Sequence, residues 1–334
     1  MDRIDVLHQF LKKNDWDDGD RKLLAADASF RHYDRIIKGN ESRVLMDAPP
    51  PMEDIRPFVL VDQKLESLGF TVPHIYDKDE EHGFILLSDM GDDTYTRLIA
   101  KGADEKALYE LATDVLIKLH SFEERDVVPN NLPKYDNEAL LNEADLFTQW
   151  YMPAVFGKET DENVAKEYDE LWLKLFSKVH ATPQTMVLRD YHVDNLMIVP
   201  GKTGLNKCGL LDFQDALHGS IVYDIMSLLE DARRDIDDDL YRTMQDRYIK
   251  GVGIKNVEEF KTAWAILAAQ RHAKVLGIFV RLCVRDHKPR YLVHINRLWR
   301  LIERALQHPV LAELKVWFDK NVPAQYRITP DVAK

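Results

Sequence analysis

Hydrophobic positions recur at two different periods along this chain, and the change from one to the other divides it. Ile4, Leu7, Phe10 and Leu11 stand at helical spacing, and the polar stretch from Asn14 to Asp20 ends that first short helix. Two strands are predicted around Phe30 to Ile37 and Arg43 to Met46, joined as a hairpin by Lys38-Gly39-Asn40, which has turn chemistry. Pro49, Pro50 and Pro51 exclude regular structure, and Phe58, Val61, Leu65 and Leu68 then mark one face of a helix that stops at Gly69. A third strand with a turn is expected over Thr71 to Tyr76. The apolar run from Gly83 to Ser88 has the length of a buried strand, and the polar segment Asp89 to Thr94 follows it directly. A lobe boundary is placed there, giving lobes 1–88 and 89–334.

Beyond that point the period becomes 3.6. Leu108, Leu111, Ala112, Val115 and Leu119 line one helix; Leu140, Ala144, Phe147 and Tyr151 line a second; Tyr168, Leu171, Trp172, Leu175 and Val179 line a third. A β island interrupts them, with short strands at Met186 to Leu188, Leu196 to Val199 and Cys208 to Leu211 and a turn at Pro200 to Gly204. From Tyr223 onward the pattern is helical, with Pro289 as its clearest break. The expected fold class is α+β, a small strand-rich lobe followed by a large helical lobe with short β hairpins inserted.

The chain has 334 residues, 45% hydrophobic and 31% charged, which is globular composition with ample chain to bury a core. Its formal charge of −12 repels a phosphate backbone, so nucleic acid is not expected as a partner. No window approaches the about 18 apolar residues that span a bilayer, and the first residues lack the apolar run of a signal peptide. Two cysteines, Cys208 and Cys283, give no disulfide framework, and a reducing cytoplasm is the expected compartment.

Two Asp-bearing segments lie in the β island: Leu188-Arg-Asp-Tyr-His-Val-Asp-Asn195, and Leu210-Leu-Asp-Phe-Gln-Asp215. Asp190 and Asn195 stand five apart on a loop between short strands, and Asp212 follows an apolar run, so a hairpin would bring Asn195 and Asp212 to one end of the sheet. D-x-x-x-x-N followed by an apolar strand ending in D-F is the spacing that kinase-type folds use for a catalytic loop and a metal loop. Phosphoryl transfer needs such a set: one carboxylate to take or orient the proton of the attacking hydroxyl, and oxygen ligands for magnesium. The bland reading is that Asp190 and Asp212 cap turns.

These segments, with Asp27-Ala-Ser-Phe-Arg-His-Tyr33, Met46-Asp-Ala-Pro-Pro50, Tyr223-Asp-Ile225 and Asp231-Ala-Arg-Arg-Asp235, resemble the aminoglycoside phosphotransferase and choline kinase superfamily. Within it the chain is most similar to the anomeric sugar kinases of bacterial cell-wall recycling. The resemblance implies a reduced, two-lobed protein-kinase fold, ATP and Mg2+ as cofactors, and an amino-sugar substrate, N-acetylmuramate or N-acetylglucosamine, phosphorylated at its anomeric hydroxyl. It implies no obligate protein partner and no membrane. Asp190 would be the base, Asn195 and Asp212 the magnesium ligands, and Asp224 the brace of the catalytic loop, although Asp224 also reads as an ordinary acid in a helix's first turn.

Ser88, Asp89 and Met90 would read the adenine edge, or form a plain linker. Ser29 would approach phosphate in a turn that is not glycine-rich. Substrate contacts would come from His192, Asp194, Gln214, Asp215, Arg233 and Arg234; His192 reads equally as loop packing, and the two arginines as surface charges beside acids. The superfamily's His two residues before the catalytic Asp is Leu188 here, and its phosphate-binding Lys is absent from Arg43-Val-Leu-Met-Asp47. Arg31, Arg35 or Arg43 could supply that cation. Two alternatives stay open: another small-molecule kinase of this fold, acting on an aminoglycoside, choline or a similar alcohol, which the acidic balance favours, and an inactive nucleotide-binding protein, which the missing Lys suggests. Gly201-Lys-Thr203 resembles the end of a P-loop, but Leu196 occupies the position of its first glycine. The acids of Asp235 to Asp239 read as a solvated face.

Overall fold

The computed structural model describes residues 2–26 and 30–332; Ser29, with Asp27 and Ala28 of the motif above, lies outside them. The chain forms two compact units, Met1–Val115 with Val193–Ala216, and Leu116–His192 with Leu217–Lys334.

The first unit is built on five antiparallel strands in the order β1-β2-β3-β5-β4: β1 Asp20–Ala26, β2 His32–Lys38, β3 Glu41–Asp47, β4 Ile75–Asp79 and β5 Phe84–Ser88. The hairpin β2–β3 turns at Gly39, whose left-handed backbone suits the two-residue connection. Period two sorts the central strands. Leu45 and Leu86 are partners in register and face the helix α1 (Arg3–Lys13), packing with Leu7, Phe10, Trp16 and Phe84. The next pair, Val44 and Leu87, points to the other side. There the helix α2 (Arg56–Ser67) buries Phe58, Val61 and Leu65, the face its spacing predicts. A two-stranded ladder, Leu196–Ile198 with Cys208–Leu210, completes this unit and bonds to it through Thr71 and Thr94.

Two elements differ from expectation. β1 is a strand over residues where no strand is expected, because Arg21-Lys-Leu-Leu24 is exposed and carries no alternation. β4 starts at Ile75, later than the expected Thr71, since Pro73 interrupts the ladder.

The second unit is helical, with one further strand pair, Gln184–Val187 and Leu217–Ser220. Its centre is the helix Val257–Val284, buried along nearly its whole length. The stripe Leu140 to Tyr151 does not form one helix: Asn137–Ala144 is α-helical, and Phe147–Tyr151 is a π turn. That extra residue per turn aims Phe147 into a cluster of Tyr151, Tyr168, Trp299 and Phe318. Among the described residues no helix is long and apolar enough to cross a membrane.

Candidate active site

In the first unit, Leu196 pairs with Leu210, and the Leu211 N–H donates to the Asn195 carbonyl at 3.0 Å, so the ladder delivers the next residues side by side. Asn195 Nδ2 donates to Asp212 Oδ2 at 3.1 Å, and Gln214 Nε2 to Asp212 Oδ1 at 2.7 Å. Asp212 adopts a left-handed backbone, φ 58°, a conformation that a non-glycine residue holds only where its surroundings over-determine it. Phe213 supplies part of that constraint by stacking on Phe58 of α2, ring centroids 5.2 Å apart.

Asn195 and Asp212 line a cavity of about 310 Å³ formed by residues of the first unit. Val44 and Leu87 of the sheet line it, as do Met197 and Leu211 and the segment Ser88, Asp89 and Met90. Gly209 sits behind Met90, where a Cβ would come within 3.1 Å of the methionine methyl and 2.7 Å of Val199, so glycine there leaves the room Met90 occupies. Asp89 is tied by Arg35, whose Nη2 donates to Oδ1 at 2.9 Å, and by the Gly91 N–H. Burial raises the Asp89 carboxyl, and Arg35 more than reverses this, leaving it below the ordinary carboxylate value.

Arg35 is thereby committed to Asp89 and Asp92. Arg31 pairs with Glu53, and Arg43 lies over the rings of Trp16 and Tyr76; neither lines the cavity. Arg97, which sequence reasoning passed over, does line it. Asp194 lines it too and accepts a hydrogen bond from the Thr96 hydroxyl. Asp215 is exposed.

The second unit holds Asp190. Its loop is anchored by Asp224, in the first turn of the helix Val222–Leu229, whose carboxylate accepts from the N–H groups of Leu188 at 2.7 Å and Arg189 at 2.9 Å. Arg189 has φ 68°, so both candidate loops carry a left-handed non-glycine residue next to or at the critical aspartate. The Asp190 side chain is 42% exposed, and Arg271 Nη2 approaches its Oδ1 at 3.9 Å. Partial desolvation raises the Asp190 carboxyl, but Arg271, Lys274 and other nearby positive groups overcome it and hold it below the ordinary value, so it is ionised at neutral pH. Burial pushes the Asp224 carboxyl up, to about 7, against its two backbone donors.

His192 is buried, with Arg233 Nη1 3.4 Å from its Nε2. Burial pushes its imidazole down, against the charge of Asp231. Asp231 accepts the Arg233 backbone N–H at 2.8 Å. Asp235 pairs with Arg297 and Arg300 instead, and Arg234 is half-buried. Sequence reasoning missed Arg271 and Lys274; the signal that marks them is Gln270-Arg-His-Ala-Lys274, a polar run within the buried middle of the helix.

A family described as the phosphotransferase enzyme family matches residues 20–269. The chain belongs to this family. Among relatives of this phosphotransferase, a protein of Pseudomonas aeruginosa named N-acetylmuramate/N-acetylglucosamine kinase is 41% identical over 298 residues, covering 87% of this chain and 85% of the relative. One of the same name from Caulobacter vibrioides is 33% identical, covering 95% and 96%. In fold the phosphotransferase is similar to a microcompartment-associated aminopropanol kinase, with TM-score 0.64 at 14% identity over 91% of this chain and 98% of that one.

Proposed function

We propose that this phosphotransferase is an ATP-dependent kinase that phosphorylates the anomeric hydroxyl of N-acetylmuramate, N-acetylglucosamine or both, in the cytoplasm. The observation that carries it is the pairing of Asn195 with Asp212 in a cavity that also has the apolar surfaces of Val44, Leu87, Met197 and Leu211, in a chain that aligns along most of its length with kinases of that name.

The apolar walls suit a flat base, and the segment Ser88 to Met90 offers backbone groups to its edge, with 1–88 as the nucleotide lobe and 89–334 as the catalytic and substrate lobe. Both Asp212 oxygens are occupied by amide N–H groups, and Gln214 Oε1 is buried without a partner. Turning the amides of Asn195 and Gln214 end for end replaces those donors with oxygens, and a carboxylate with amide oxygens is the donor set a hard cation takes. Asn195 and Asp212 would therefore hold Mg2+, with Gln214 beside them. Bound there, the ion neutralises charge on phosphate oxygens.

Asp190, ionised and partly exposed, accepts the proton of the attacking hydroxyl. A hemiacetal hydroxyl is more acidic than an ordinary alcohol, so the demand on the base is mild, and orienting the hydroxyl is the larger part of its task. Asp224 fixes the loop through two backbone hydrogen bonds. Arg233, next to His192, offers a planar fork to the carboxylate that N-acetylmuramate carries; Arg234 and the pair Asp194 and Asp215 complete the set of sugar contacts. Arg31 and Arg43 remain candidate phosphate contacts only if they leave their present partners; Arg97 already lines the cavity while its Nη1 donates to the Asp92 carbonyl at 3.0 Å. Asp190→Asn is expected to lower kcat by roughly 10²–10⁴-fold with Mg·ATP affinity retained; unchanged turnover with both sugars would remove Asp190 from the mechanism.

A further inference from the structure

Arg35 stands on β2 opposite Val44, and Val44 stands opposite Leu87 of β5, so the three side chains form one row across the sheet, on the side where Val44 and Leu87 line the cavity. One residue beyond Leu87 the ladder ends, at Ser88 opposite Arg43, and the chain runs on without strand pairing through Asp89, Met90 and Gly91. The guanidinium at the end of the row reaches this stretch. Its Nη2 donates to Asp89 Oδ1 at 2.9 Å and to the Gly91 carbonyl at 3.2 Å, its Nη1 donates to both Asp92 oxygens at 3.1 Å, and its Nε lies 2.7 Å from Asp89 Oδ2.

The grip matters because its members are sheltered. The Arg35 and Asp89 side chains are 18% and 10% exposed, so this is not the solvated surface pair that contributes little. Taking the cation away leaves Asp89 as a charge with little water around it. Only a planar fork with several donors can serve Asp89, Gly91 and Asp92 at once. Met90, between the gripped residues, lines the cavity in the room that Gly209 leaves, and Ser88, just before them, is fixed through its N–H, which donates to the His74 carbonyl at 2.9 Å. Arg35 itself is not among the side chains that line the cavity.

We propose that Arg35 is a positioning residue for the nucleotide: gripping Asp89, Gly91 and Asp92, it fixes the backbone of Ser88 to Met90 at the edge of the base and so sets nucleotide affinity without touching the nucleotide. This rests on the reading of that segment as the one that meets the base of ATP. The phosphates play no part in it, which separates this role from that of a phosphate-binding cation.

The test compares two ligands, Mg·ADP and adenosine, by equilibrium binding to the full chain, with steady-state kinetics alongside. Arg35→Met keeps the aliphatic stem and removes the fork; Kd for both ligands is expected to rise by the same factor, roughly tenfold to a hundredfold, the scale of a misplaced group. KM for ATP follows, while kcat at saturating ATP stays within about threefold and KM for the sugar within about twofold, the pattern of lost binding and intact chemistry. A general loss of packing lowers kcat and sugar affinity as well, and that outcome overturns the proposal. So does weakening confined to Mg·ADP, which marks a phosphate contact, or unchanged affinity for both ligands. Arg35→Lys keeps the charge but not the fork and is expected to weaken both ligands about threefold or more. Where Arg35→Met does not fold, as read by circular dichroism, Arg35→Lys decides alone, and wild-type affinity in it overturns the proposal. Wild-type protein that fails to bind adenosine refutes the reading of the base site and the proposal with it, whereas adenosine bound equally by wild type and variants refutes the role of Arg35 and leaves that reading standing.

Discussion

A carboxylate that leaves water must either gather donors or keep its proton, and the buried acids of this protein take both routes. Glu230 gathers His272, Trp264, Tyr241 and Arg304, and despite burial these bring it down to about 2. Asp62, on the inner face of α2, is fully buried with neither oxygen bonded, and desolvation, helped by Glu66, pushes it up to about 8. The sign of its effect on stability follows. The folded state holds this proton more tightly than the unfolded chain, so the cost of Asp62 is absent below about pH 4, grows as pH rises, and is complete above about pH 8. Asp62→Asn, which keeps the shape and cannot ionise, is expected to raise Tm, with a gain at pH 8 roughly three times that at pH 5. Equal gains at the two pH values, or a loss, in paired thermal melts would contradict this.

At the scale of elements, what could be read from sequence was what one period or one spacing carries. The hairpin at Gly39, the face of α2 and the ladder that joins Asn195 to Asp212 rest on alternation, on Phe58, Val61 and Leu65, and on two short apolar runs with Asp after the second. The π turn at Phe147 was hidden because its apolar spacing suits an ordinary helix equally well, and β1 because its exposed side chains carry no alternation. Glu143, on the helix Asn137–Ala144, was invisible for another reason: its carboxylate gathers Tyr135, Arg189, Gln270 and Lys274, a convergence that only the fold assembles.

The helix Val257–Val284 carries three of the side chains around Asp190 and Glu143, and it is seated by a glycine: a Cβ on Gly277 would lie 2.1 Å from the Leu146 carbonyl oxygen. That neighbour is backbone and cannot swing away. Gly277→Ala is therefore expected to destabilise the protein by about 1–3 kcal/mol, as overpacking does, and to lower kcat through Arg271 and Lys274, with ATP affinity unaffected. Unchanged denaturant midpoint and kcat would show that this helix tolerates displacement and that its register does not matter to Asp190.

For the molecule as a whole, the net charge of −12 says little about one pocket, since cations are concentrated where the chemistry needs them, at Arg189, Arg271 and Lys274. The chain departs from the protein-kinase pattern at Leu188 and in the missing strand Lys, yet keeps Asp190, Asn195 and Asp212, each on a backbone held in place by named bonds. An inactive nucleotide-binding protein would have no use for two strained loops and an ionised, accessible aspartate; an enzyme has. The proposed reaction transfers phosphate to an anomeric oxygen. It is tested most directly by incubating the protein with Mg·ATP and either amino sugar and following phosphorus NMR, with the phosphorus coupling to the sugar's anomeric proton. A new glycosyl phosphate resonance, absent without sugar and strongly reduced with Asp190→Asn, is the expected result. A phosphate ester at any other hydroxyl, transfer only to an aminoglycoside or choline, or no sugar-dependent product would contradict it.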